Sequence, residues 1–215
     1  MIKAKKMLIT LVLVAIVSGC SSKNTVKEYD KTAEYWYDSI TQNITSSNLD
    51  KADNYYISLR SEHMRSPLLP TATMMLAQAH IADESYQMAD YYIDEYIKKY
   101  ASNQNLEYAK FLKLKASFLN IKDINKDQKL ILDTINDANA FVSRYPSSDY
   151  TSSVNTMLVR LHMTQYMLNE SVARLYERVG KDGAAQMYRD KNRNSVLRES
   201  DIEAPKEGYL EKFFN

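Results

Sequence analysis

From Tyr29 onward the apolar positions recur at helical spacing almost without interruption. Tyr29, Ala33, Trp36, Ile40 and Ile44 form one stripe. After the breaker TSSN, with Asn48 or Asp50 as the cap, Leu49, Ala52, Tyr56, Leu59 and His63 form a second. Leu68, Ala72, Met75, Leu76 and Ala79 make a third behind Pro67. Ala89, Tyr92, Ile93, Tyr96, Ile97 and Tyr100 make a fourth, capped by Asp83 or Ser85. The segment 104–120 is apolar around most of its circumference, which predicts a helix sandwiched between neighbours. A polar insert, Ile121 to Asp127, separates it from a helix over Leu130–Tyr145 that ends at Pro146. Tyr150, Val154, Leu161, Leu168, Val172 and Leu175 then trace one long helix of about 28 residues, roughly 42 Å at 1.5 Å per residue. Gly180 to Gly183 breaks it before a last helix from about 183 to 198.

The predicted helices come in pairs with short connections, and the pairs are weakly alike. Ala52 and Ala89 stand 37 residues apart, each followed four residues later by an apolar side chain, Tyr56 or Ile93. Ile97-Lys98-Lys99-Tyr100-Ala101-Ser102 matches Val142-Ser143-Arg144-Tyr145-Pro146-Ser147. A helix–turn–helix period of about 34 residues, with a small residue that lets two helices approach closely, is the tetratricopeptide pattern. The expected fold is therefore all-α: an α-solenoid of about four tetratricopeptide-like helix pairs in a right-handed superhelical arc. An irregular helical bundle fits the periodicity as the alternative.

Composition supports this. The 215 residues hold only four Gly and four Pro, too few for a turn-rich β fold or phosphate-cradling loops. With 28 Lys+Arg against 27 Asp+Glu, bulk basicity offers no drive toward nucleic acid. The single cysteine excludes an internal disulfide framework and any paired-cysteine metal site.

That cysteine sits where it changes the picture. Lys3, Lys5 and Lys6 precede an apolar run from Met7 to Val17, too short to span a hydrocarbon core that needs about 20 residues. The run ends in Val17-Ser18-Gly19-Cys20, which resembles the bacterial lipobox, with Val17 where leucine is commoner. The domain reading is a signal peptide over 1–19 and an acylated Cys20 with a polar tether over 20–27. A helical domain over 28–198 and an extended tail over 199–215 follow. Acyl chains, stabilising by about 0.8 kcal/mol per buried methylene, hold the chain at a membrane. The resemblance to bacterial lipoproteins implies, with Ser21 rather than Asp after the cysteine, sorting to the outer membrane of a Gram-negative cell, facing the periplasm. Cleavage removes three lysines, leaving 25 Lys+Arg against 27 Asp+Glu.

Candidate chemistry is sparse. His63, His80 and His162 are isolated, with no metal-ligand spacing, and no nucleophile elbow, phosphate loop or dinucleotide fingerprint occurs. No catalytic residue, metal or cofactor is expected beyond a lipid on Cys20, and the chain reads as a binder, not an enzyme. Two features remain. Among the 17 tyrosines, most of them suited to inter-helix contacts, some could line a peptide groove. Arg160, Arg174, Arg178, Lys181, Arg189, Lys191, Arg193 and Arg198 gather positive charge on the last two helices, either a solvated face or a docking patch for a protein.

The turn Arg144-Tyr145-Pro146-Ser147-Ser148-Asp149-Tyr150-Thr151, the long helix with Ser171-Val172-Ala173-Arg174-Leu175-Tyr176-Glu177-Arg178, and Cys20 resemble the BamD family. These are lipoproteins of the outer-membrane β-barrel assembly machine. The resemblance covers about 28–195. It departs in stopping after four helix pairs where the family commonly has five, and in the length of the turn Val179–Gly183. It implies a scaffold whose C-terminal pairs dock a BamA-like barrel protein, with Arg174, Arg178, Arg189 and Arg193 as the charged contacts. Its N-terminal pairs would hold an extended segment of an unfolded outer-membrane protein, with Trp36, Tyr55 and Tyr92 as stacking surfaces. Accessory lipoproteins would complete the complex. A tetratricopeptide adaptor lipoprotein of another envelope system, pilotin-like or Tol-Pal-like, is the alternative reading.

Overall fold

A computed structural model of the chain describes residues 28–195. The proposed signal peptide, Cys20, the tether and the tail 199–215 lie outside them. A short N-terminal unit closes at Lys31, and the helical unit opens at Thr32.

The described residues of that unit contain no strand and form eight α-helices. They are α1 (Ala33–Thr45), α2 (Leu49–Glu62), α3 (Leu68–Ala82) and α4 (Tyr86–Lys99), followed by α5 (Asn103–Leu119), α6 (Gln128–Arg144), α7 (Thr151–Arg178) and α8 (Asp182–Arg193). Each packs on its neighbour in sequence, and α1 also touches α3, so the helices stack as successive antiparallel pairs.

The turn inside a pair is built the same way three times. After α1, α3 and α7 a residue enters the left-handed region: Ser47 (φ 54), Glu84 (φ 59) and Gly180 (φ 70). In each case the next amide reaches back to the third-last helical carbonyl: Asn48 to Asn43 at 2.8 Å, Ser85 to His80 at 2.8 Å, Lys181 to Tyr176 at 2.9 Å. This doubly bonded helix end satisfies otherwise orphaned carbonyls, and the residue closing it stands at the N-terminal boundary of the next helix without a side-chain capping bond. The third pair differs. There Asp127 accepts from the amides of Lys122 and Asp123, both at 2.9 Å, and so ties off the insert. The insert is less polar than its sequence suggested, because Ile121 is fully buried and anchors it to Phe118, Ile131 and Leu161.

Small residues sit where helices come closest. Ala52, Ala72, Ala77, Ala89, Ala109, Ala138 and Ala173 have no exposed surface. One core joins the first two pairs around Trp36, Ile40, Leu59, Leu76 and Ile93 and runs on to Leu112 and Ala116 of α5. Two further clusters, around Ile131/Leu161 and around Phe141/Val154, join α5 and α6 to α7. As expected, α5 is buried on several sides and α7 is 28 residues long. The last helix starts at Asp182 and ends at Arg193, short of the predicted 198.

Candidate protein-interaction surfaces

A polar joint locks the first pair to the second. Asp53 of α2 accepts from the Tyr92 hydroxyl of α4 at 2.6 Å and from Nε2 of His80 on α3 at 3.0 Å. Because a carboxylate only accepts, Nε2 carries the proton, and the buried Nδ1 has no hydrogen-bond partner among the described residues. The His80 and Tyr92 rings stack at 5.5 Å, Tyr56 stands edge-on to Tyr92 at 5.3 Å, and Tyr56 shares a 2.7 Å hydrogen bond with Thr73. Burial first, and then the Asp53 carboxylate, push the Tyr92 hydroxyl well above the usual phenol range; burial does the same for Tyr56. Beside this cluster Glu95 bridges Arg60 at 3.0 Å and Lys99 at 2.7 Å, and Arg60 also donates to the Tyr91 hydroxyl at 3.0 Å. Burial alone would raise the Glu95 carboxyl, but the Lys99 and Arg60 hydrogen bonds outweigh it and hold the group below its ordinary value. Every donor around Asp53 is engaged and enclosed, so this is a fixed joint.

That geometry reassigns the aromatic residues expected in a groove. Trp36 is 1% exposed and donates from Nε1 to Glu62 at 2.8 Å, while Tyr92 is 2% exposed inside the joint. Tyr55 is half-buried with its ring tilted over Trp36 at 5.8 Å. Trp36 and Tyr92 therefore offer no free ring face, because both are buried.

Another set of aromatic side chains stays accessible, along the odd-numbered helices. The Tyr37 hydroxyl of α1 meets Met75 of α3 at 3.2 Å, and Gln78, one turn on, donates to the Tyr108 hydroxyl of α5 at 2.8 Å. Tyr150, at the mouth of α7, stacks on Phe111 at 4.4 Å and lies 5.6 Å from Tyr108. Tyr37, Met75, Tyr108, Phe111 and Tyr150 are each half-buried, so the strip is held firmly and stays partly accessible. Sequence reading did not assemble it because its residues come from separate elements, and Met75 and Tyr150 counted only as members of apolar stripes. The turn into α7 has a matching role: Ser148 donates to Glu107 of α5, and the Thr151 hydroxyl donates to the Tyr145 carbonyl at 2.8 Å. This is the Tyr-Pro-Ser-Ser-Asp-Tyr motif, and its work is to seat Tyr150 on α5.

The C-terminal pair is joined by a second polar lock. Asn192, 5% exposed, donates to the Tyr166 carbonyl at 3.0 Å and to Glu170 at 3.1 Å, and accepts from Asn169 at 2.8 Å. Arg189 reaches from α8 to Glu177, with Glu170 at 3.9 Å. Its hydrogen bond to Glu177 raises its own value and lowers that of the carboxyl. Arg193 pairs with Asp190. Arg174 and Arg178 are exposed with no ion-pair partner among the described residues. Near them Leu175, Val179 and Met187 are 50%, 58% and 54% exposed. Of the four arginines expected in docking, two are thus engaged inside the chain and two are free.

Residues 29–189 match the family described as YfiO, outer membrane lipoprotein. A Helicobacter pylori protein named outer membrane protein assembly factor BamD is 37% identical over 193 residues, covering 89% of this chain and 88% of that protein. The chain belongs to the BamD family. A BamD from Caulobacter vibrioides is 25% identical over 82% of this chain and 59% of its own length. One from Neisseria meningitidis serogroup B is 26% identical over 82% of this chain and 72% of its own. The family match runs from Tyr29 to Arg189, so it takes in the inter-pair joint, the aromatic strip and most of the C-terminal pair.

Among the described residues no group of His, Cys, Asp or Glu is placed to hold a metal ion, and no helix is long and apolar enough to cross a membrane.

Proposed function

We propose that this chain is a periplasm-facing, outer-membrane-anchored scaffold of β-barrel protein assembly, held to the bilayer by lipid on Cys20. The observation that carries the reading is the 37% identity, over nearly the full length of both chains, to a protein named for that assembly process. Accessory lipoproteins complete the assembly.

The two ends divide the work. The C-terminal pair docks a BamA-like barrel protein through Leu175, Val179 and Met187, with Arg174 and Arg178 as free, orientation-fixing cations. Arg189 acts behind that surface, clamping α8 to α7, while Arg193 pairs with Asp190 within α8. The strip from Tyr37 to Tyr150 takes an extended segment of an unfolded outer-membrane protein; tyrosine gives large contact area at little side-chain entropy cost. No energy source is required. Weak capture beside the insertase raises the local concentration of the segment, and strand pairing in the growing barrel releases it.

The docking assignment is tested by R174E/R178E in the lipidated chain. Both side chains are exposed, so stability changes by less than about 0.5 kcal/mol, while recovery of the barrel protein on affinity purification falls steeply. Undiminished recovery refutes this docking surface.

A further inference from the structure

An open cleft of about 470 Å³ lies between α5 and α6, within the size range of about 300–1,000 Å³ typical of ligand sites. Leu106, Leu114 and Phe141 give it an apolar floor, and Lys110 and Arg144 stand on its rim. Two further charged residues line it. Lys113 is occupied by Asp90 and Asp94 of α4, and Asp137 contributes one negative charge. The positive groups left to meet a ligand are Lys110 and Arg144, both exposed.

The end of α8 lies within reach of this cleft for a short tether. α8 ends where Asn192 contacts Tyr166 and Asn169, midway along α7. α6 covers the preceding stretch of α7: Ile131 and Ile135 share a core with Leu161, and Phe141 shares one with Val154. α8 and α6 therefore both run antiparallel to α7, α8 ending level with Tyr166 and Asn169 and α6 covering the stretch from Leu161 to Val154. From the level of Asn192 to that of Val154 is 12–15 helical residues, about 18–22 Å.

The sequence beyond Ser195 has the matching reach and chemistry. Residues 209–214 lie 14–19 positions further on, for which a flexible chain has a root-mean-square extension of about 19–26 Å. Tether length and span agree, the condition under which effective concentration is highest. Glu199, Asp201, Glu203, Glu207 and Glu211 outnumber Arg198, Lys206 and Lys212, and Tyr209, Leu210, Phe213 and Phe214 lie near the end of the chain.

We propose that residues 207–214 fold back into the α5–α6 cleft as an intramolecular ligand. Phe213 and Phe214 lie against the Leu106–Leu114–Phe141 floor, and Glu207 and Glu211 face Lys110 and Arg144. The tail is then a tethered competitor for any acidic, aromatic segment offered to the same cleft from outside.

The test uses the full mature chain carrying Cys20→Ser and the exposed-site pair A140C/F213C, with M187C/F213C as the control for capture by the apolar surface of the last pair. Under mild oxidation the first pair forms an internal disulfide about tenfold faster than the control. The rate is independent of protein concentration and falls to the control level in K110E/R144E. A synthetic peptide matching 207–215 slows it only as it approaches about millimolar concentration, the range of a short tether's effective concentration. Equal rates for the two pairs, or indifference to K110E/R144E, overturn the proposal. Rates that rise with protein concentration, which indicate a second copy as occupant, also overturn it, as does full competition at micromolar peptide, which indicates an outside partner.

Discussion

Removing Asp53 probes the joint between the first two helix pairs and has a sign that simple contact loss does not share. Asp53→Ala strands the Tyr92 hydroxyl and the His80 Nε2–H, both on side chains no more than 3% exposed. Each orphaned buried donor costs about 1–3 kcal/mol. The Asp53 side chain is itself 18% exposed, so water relieves part of the loss and the expected cost is about 2–4 kcal/mol. A domain of this size then melts about 4–16 °C lower. Tyr92→Phe alone costs about 1 kcal/mol, because Asp53 keeps His80 and gains access to water. On the Asp53→Ala background the same Tyr92→Phe substitution removes a stranded hydroxyl, so it is neutral or slightly stabilising. Urea denaturation of the four chains, carrying Cys20→Ser for solubility, gives the coupling directly, about 1 kcal/mol or more. An equal cost for Tyr92→Phe in both backgrounds refutes the account of the joint.

Glu95→Gln tests the neighbouring bridge by pH. The folded carboxyl is held below its unfolded value, so its contribution is present above about pH 4.3 and disappears as pH falls through the folded value. The variant is therefore less stable than wild type at pH 7, and the gap narrows on acidification; a gap constant with pH contradicts the assignment. Ser47→Gly relieves a left-handed residue at an exposed turn and stabilises by about 0.5–1 kcal/mol in thermal melts, whereas loss of stability would mean that the φ of 54 carries no strain.

The hydrophobic spacing was enough to place the helices and the long α7, because burial of one stripe per helix leaves a periodic trace in the sequence. It also located the alanines at close approaches, since Ala52 and Ala89 stand out against the large residues around them. The repeated turn was harder to see: two of its three left-handed residues are Ser47 and Glu84, where glycine would have been the signal. Ile121 was read into a polar insert because one buried anchor among charged neighbours has no period.

The interaction surfaces were less legible for a related reason. Trp36 and Tyr92 have the composition of binding residues, and only their partners, Glu62 and Asp53, show that their polar tips are used internally. Tyr37, Tyr108 and Tyr150 come together from three helices across more than a hundred residues, which no local pattern encodes. Arg189 sits in a cluster of like charges in the sequence, yet its two acidic neighbours on α7 make it a clamp.

The central claim, a lipid-anchored scaffold that joins a barrel insertase to its unfolded clients, is tested most directly by affinity purification of the tagged full chain from outer membranes after cross-linking. The account predicts recovery of a BamA-like barrel protein together with newly exported outer-membrane proteins. It also predicts a thioether-linked diacylglycerol on Cys20 by mass spectrometry. A chain recovered with an unmodified thiol, or with neither the barrel protein nor its clients, would contradict it.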